Sequence, residues 1–121
     1  MIFSSCGGAN NDLLPRNDNA TSALAVQCTS GTAYNVGLDP GQASGATVTT
    51  RQMMNGSNTL NYALYADNGR TMNWGNTIGT DTVAGTGSGA TQSLTVYGQI
   101  PAGQNPVPGL YTDTITATLN F

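Results

Sequence analysis

Through the last eleven residues of the chain, "YTDTITATLNF", apolar side chains return at alternate positions: Tyr111, Ile115, Ala117, Leu119 and Phe121. Asp113 alone breaks the series, and threonine or asparagine fills the even positions from 112 to 120. A period of two, rich in β-branched residues, is the mark of a strand with one buried face. The same signal recurs upstream. "TSALAVQC" sets Ser22, Leu24, Val26 and Cys28 on one face, and "TAYNVGL" groups Tyr34, Val36 and Leu38. "TLNYALYA" aligns Leu60, Tyr62 and Leu64, and "QSLTVYGQI" aligns Leu94, Val96, Gly98 and Ile100. "ATVTTRQM" is a further strand candidate.

Turn formers separate these runs. Pro40-Gly41 and Asn55-Gly56-Ser57 read as turns, and Asn68-Gly69 fits a type I′ hairpin from which "TMNWG" returns. "GTDTVAGTGSGAT" reads as a loop, and the prolines of "PAGQNPVPG" bar a helix before the closing strand. No segment carries a helical period. Seven or so short strands between Gly, Asn and Pro turns predict an all-β, Ig-like β-sandwich. Residues 1–20 read as an irregular segment or a shortened first strand, with the domain proper at 21–121.

At 121 residues the chain is sized for one domain. It has no His, Lys or Glu, and its cations are Arg16, Arg51 and Arg70. Charged residues make up 7%, far below the usual quarter, yet the net charge is only -3 and the apolar alternation is regular, so the profile is not that of a disordered chain. A Thr-, Ser- and Asn-rich surface suits exposed sheet faces and repels its own copies weakly, as suits a chain that assembles. Three scattered arginines give no basic patch for nucleic acid. No apolar run approaches a membrane span. The start "MIFSSCGG" has neither a basic n-region nor the apolar length of a signal peptide.

The chemical signals are weak. Without histidine, the Ser-His-Asp and Cys-His constellations and the commonest zinc ligand are missing. A carboxylate pair of the glycosidase kind is formally available, but Asp39, Asp67 and Asp81 fall in turns, where Asp bonds its own backbone. "GTGSG" lacks the lysine and the helix of a phosphate loop. Asp12 and Asp18 lack the spaced ligand set of a calcium loop. Trp74 and the tyrosines at 34, 62, 65, 97 and 111 could form a sugar platform, although aromatics in sandwiches more commonly pack the core. These residues support neither enzyme nor metal site nor cofactor.

Three stretches resemble the spore coat protein U family, which includes the subunits of archaic (Csu-type) chaperone–usher pili. They are "VQCTSGTAYNVGLDPG" (26–41), "TLNYALYADNGRTMNWGN" (59–76) and "SLTVYGQIPAGQNPVPGLYTDTITATLNF" (93–121). The resemblance implies an incomplete Ig-like sandwich that lacks its last strand. A periplasmic chaperone first lends a strand, and the N-terminal extension of a neighbouring pilin then replaces it after delivery to the usher. It also implies transit through the periplasm to an extracellular pilus that supports adhesion and biofilm formation. Ile115, Ala117, Leu119 and Phe121 would then line the groove that the donor strand fills, with Thr114, Thr116, Thr118 and Asn120 facing outward. The alternative function is an adhesin or carbohydrate-binding module at a pilus tip or cell surface. The sequence departs from the family in offering no room for a leader or donor extension, and Cys6 follows Phe3 rather than preceding the family's aromatic segment. Cys6 and Cys28 are nonetheless the disulfide candidates. Lying 22 positions apart, they would close a loop contributing about 3 kcal/mol.

Overall fold

The structure is a computed structural model and describes residues 2–5, 18–104 and 106–121. The described residues form nine strands and no helix. In chain order these are β1 (Ile2–Ser5), β2 (Asp18–Gln27), β3 (Ala33–Leu38), β4 (Arg51–Asn55) and β5 (Asn58–Tyr65). β6 (Val83–Thr86), β7 (Thr91–Ile100), β8 (Gly109–Thr112) and β9 (Ala117–Asn120) follow. One sheet has six strands in the order β1-β8-β4-β5-β7-β2, and the other has three in the order β6-β3-β9; every pairing is antiparallel. This is the Ig-like sandwich that the alternation predicts.

The period of two explains what each strand buries. Tyr34, Val36 and Leu38 of the three-stranded sheet meet Val26, Met53, Leu60, Tyr62 and Leu64 of the six-stranded one, and Val96, Ile100 and Tyr111 complete the layer. Trp74, from the segment after β5, is also buried, and its indole N–H donates to the Val36 carbonyl at 2.8 Å. Tyr111 donates to the Val107 carbonyl at 2.5 Å and Tyr34 to the Gln92 side chain at 3.2 Å. With the Tyr62 hydroxyl bonded to Asp113, four aromatics serve as core with their polar ends satisfied, which is the packing reading of those residues. Among the described residues no buried side-chain polar atom lacks a partner. No helix there is long and apolar enough to cross a membrane.

Four expectations are corrected. The closing stretch is not one strand: β8 belongs to the six-stranded sheet and β9 to the three-stranded one, with residues 113–116 outside either ladder. "GTDTVAGTGSGAT" is not all loop, because β6 pairs with β3 over Val83–Thr86. Its glycines signal close approach instead of freedom. A methyl group at Gly85 would meet the Tyr34 hydroxyl at 2.5 Å, so only a glycine lets β6 pass over that ring. Asn68-Gly69 forms no type I′ turn. The left-handed residue is Arg70, with φ 56°, because the Asp67 carboxylate collects the amides of Thr71 and Met72, each at 2.9 Å, and organises the loop around itself. In "ATVTTRQM" the strand starts only at Arg51, after a turn closed between Thr47 and Thr50. Upstream, Ile2–Ser5 pairs with β8 and β2 begins at Asp18.

Candidate functional site

The two sheets do not close on each other along one side. β2 pairs only with β7, and β9 only with β3, so among the described residues each is the last strand of its sheet. Between them runs a groove of about 500 Å³. One wall comes from β2, through Ala20, Thr21, Ser22 and Leu24. Leu38, Leu64 and Val96, one residue from each of three strands, make the floor. Ile115 and Ala117 form the other wall. Apart from the two hydroxyl residues on β2, the lining is apolar, without the converging polar groups that orient a small ligand.

The register of β9 fixes which way its side chains face. Ala117 is opposite Leu38 and Leu119 opposite Val36, both core residues, so Ala117 and Leu119 share the inward face. Leu119 is nevertheless 37% exposed and Phe121 90% exposed. Of the four residues expected in the groove wall, the structure places Ile115 and Ala117 there. Leu119 continues their face along the strand, and Phe121 lies beyond the end of β9. Thr114, Thr116 and Thr118 are exposed, and Asn120 is half-buried. Each apolar side chain left uncovered on such a face forgoes about 1.5–3 kcal/mol of burial, beside the unpaired backbone groups of two sheet edges.

The residues that hold this wall in place were silent in the sequence. Arg51, at the start of β4, is fully buried and spends its guanidinium on four main-chain carbonyls. Nε donates to Asp39 at 2.9 Å, Nη1 to Val48 at 2.8 Å, and Nη2 to Leu38 at 3.0 Å and Trp74 at 2.8 Å. Burial pulls its pKa below the ordinary value, opposed by Tyr62 and by the nearby carboxylates of Asp39, Asp113 and Asp81. The Tyr62 hydroxyl donates to Asp113 at 2.5 Å, and burial together with that carboxylate holds the phenol well above its usual pKa. An arginine flanked by Thr50 and Gln52 gives no sequence signal of burial, because the four acceptors come from three separate stretches of chain.

Other candidates resolve differently. Asp39 and Asp67 bond local backbone as turn residues do, and Asp81 accepts the Thr77 amide at 2.9 Å. The glycines of "GTGSG" are pinned to the β2–β3 turn through Gly87 N–H to Thr32 (2.7 Å) and Gly89 N–H to Cys28 (2.9 Å). Tyr97 lies under the Arg70 guanidinium, 5.7 Å from ring centre, where Arg70 also donates to Gly98 and Ala20. Arg70 thus bridges main-chain carbonyls of β2 and β7. Cys28 is half-buried against the core. Cys6, Asp12 and the Asp18 side chain lie outside the described residues, and so do the disulfide and calcium readings that need them.

The comparisons with known proteins agree with this architecture. The family model described as Spore Coat Protein U domain matches residues 5–118. Protein U of Myxococcus xanthus is 41% identical over 107 residues, covering 84% of this chain, and the chain spans 59% of that protein's length. A solved structure is similar with a TM-score of 0.67 at 18% identity, over 100% of this chain and 39% of the matched one. It is the CsuC–CsuE chaperone–tip adhesion subunit pre-assembly complex from the archaic chaperone–usher Csu pili of Acinetobacter baumannii. At that identity the likeness is one of fold.

Proposed function

Since the chain belongs to the spore coat protein U domain family, we propose that it is a structural fibre subunit whose groove receives a β-strand from another polypeptide. The observation that carries this reading is the apolar groove between β2 and β9, flanked on both sides by a strand that ends its sheet. An inserted strand with alternating apolar residues would satisfy both edges and cover Leu24, Ile115, Ala117 and Leu119 at once, which is strand addition to a sheet. In this reading a periplasmic chaperone supplies the strand during transit, an usher receives the complex, and a neighbouring pilin supplies the permanent strand in an extracellular pilus. Adhesion and biofilm formation follow as the role of that pilus. The fold likeness to a subunit held in a chaperone complex supports the same assignment. A Cys6–Cys28 disulfide, formed in the oxidising periplasm, belongs to this proposal. The carbohydrate-binding alternative is weakened, because Trp74, Tyr34, Tyr62 and Tyr111 are spent in the core.

The test is to fuse an alternating Val/Thr strand to the C-terminus through a flexible linker and measure thermal unfolding. The expected outcome is a rise of many degrees and a shift from aggregate to monomer. An unfused chain that already unfolds cooperatively as a monomer, with no gain from the strand, would refute the open-groove reading.

A further inference from the structure

The Ile115 wall of the groove has no strand ladder of its own, since residues 113–116 lie between β8 and β9 and share with the end of β3 only the main-chain bond from Asp39 to Thr116. Two carboxylates take that role. Asp113 Oδ1 accepts the amides of Thr114 (2.8 Å) and Gln42 (2.9 Å), while its Oδ2 accepts the Tyr62 hydroxyl at 2.5 Å. Asp39 Oδ1 accepts the amides of Thr116 (2.9 Å) and Gly41 (3.1 Å), and the Asp39 amide donates to the Thr116 carbonyl at 3.1 Å. Ile115 therefore sits between two amides, each bound by a different aspartate. Both aspartates are anchored from below. Arg51 holds the Asp39 carbonyl and that of Leu38 in the groove floor, and Tyr62 holds Asp113.

We propose that Asp39 and Asp113 are positioning residues for strand capture: they turn the chain out of the six-stranded sheet at 113–116 and aim Ile115 and Ala117 into the groove. This inference rests on the strand-accepting reading above. The carboxylates touch no donor strand themselves and act through the backbone on either side of Ile115. Without them that backbone has amides in need of acceptors, and Ile115 loses its fixed direction.

The experiment measures binding of a synthetic ten-residue alternating Val/Thr peptide, the length of β2, to the full chain and to Asp113→Ala and Asp39→Ala. Each alanine variant should bind at least about tenfold more weakly, equivalent to ~1.4 kcal/mol, and the Asn variants, which keep one acceptor oxygen, less so. A merely structural role is separated by repeating Asp113→Ala in an Ile115→Ala background. If the aspartate acts by aiming Ile115, its effect largely disappears there; an undiminished effect overturns the proposal. Should the alanine variants fail to fold, amide exchange in Asp113→Asn and Asp39→Asn decides. Faster exchange at Thr114, Thr116 and β9 with β4 and β5 unchanged supports positioning, and uniform or absent change overturns it. If the wild-type chain binds no peptide, the strand-accepting reading fails and takes the capture role with it. The exchange measurement still decides whether the aspartates fix the β8–β9 turn.

Discussion

Replacing Arg51 by methionine keeps a long apolar stem and removes every donor. Four main-chain carbonyls lose charge-assisted hydrogen bonds of 2.8–3.0 Å, each of a class contributing about 1.5–3 kcal/mol. The gross loss of ~6–12 kcal/mol is offset by the several kcal/mol that burying the guanidinium costs the native protein. That burial cost is visible in its lowered pKa. The net loss is about 3–5 kcal/mol, a large part of the ~5–15 kcal/mol that holds a domain together. In urea, with a slope of roughly 1.5 kcal/mol per molar, the unfolding midpoint should fall by about 2–3 M. The measurement is best made on the strand-fused protein, where unfolding is expected to be cooperative. Arg51→Lys should fall between the two, since an ammonium presents three donors from one point and cannot serve four carbonyls spread around a planar fork. A midpoint within about 0.5 M of wild type for Arg51→Met, at unchanged slope, would refute the reasoning. So would a lysine variant indistinguishable from wild type.

Tyr62→Phe should cost about 1–3 kcal/mol at neutral pH, because the hydrogen bond from the buried phenol to Asp113 is lost. The Tyr62 phenol has its folded pKa above its unfolded one. Its contribution is therefore intact below about pH 10 and is lost as pH rises toward the folded value, so the variant should flatten the alkaline limb of stability by roughly one proton. Ile115→Asp should abolish strand capture by putting an unpaired charge in the apolar wall, while Thr116→Asp, on the exposed side, should bind the same peptide nearly as wild type does. Equal behaviour of the two would show that the face is misassigned. Protein made in the periplasm should show no reactive thiol by non-reducing mass spectrometry, and two free thiols would remove the Cys6–Cys28 bridge.

The sandwich was legible because alternation is a local property. Leu24 and Val26 on β2, or Leu60, Tyr62 and Leu64 on β5, announce their buried face without reference to any partner. The break at 113–116 was not legible, although the one irregular residue of the closing pattern, Asp113, marks its start. Continuing threonines and isoleucine look like strand, and only acceptors from Asp39, 77 positions away from Thr116, show why the ladder stops. β6 was hidden for the opposite reason. Its glycines look like loop until Tyr34 is seen beneath Gly85. Of the groove lining, the alternation that sets Ile115 and Ala117 on one face could be read from the sequence. Of its β2 wall, Ser22 and Leu24 share a face in the alternation, whereas Ala20 and Thr21 could not be read, because small and hydroxyl residues carry no burial signal.

The groove and the break in the closing strand are one feature. β8 must stay with β4 and β1 in the six-stranded sheet to bury Tyr111, and β9 must leave it to reach β3. A continuous strand cannot do both, so residues 113–116 lie off any ladder and the amides of Thr114 and Thr116 take side-chain acceptors instead. Once across, β9 ends its sheet opposite β2, and the apolar faces of both strands look into the same gap. Proteins usually guard an exposed edge with lysine, proline or a bulge. Neither "DNATSALAVQ" of β2 nor "ATLN" of β9 contains Lys, Arg or Pro, and their ladders with β7 and β3 run residue for residue without a bulge. Two unguarded edges flanking an apolar channel would be a liability in a chain that works alone. In a subunit that takes a partner's strand between them, they are the surfaces on which that strand would be paired.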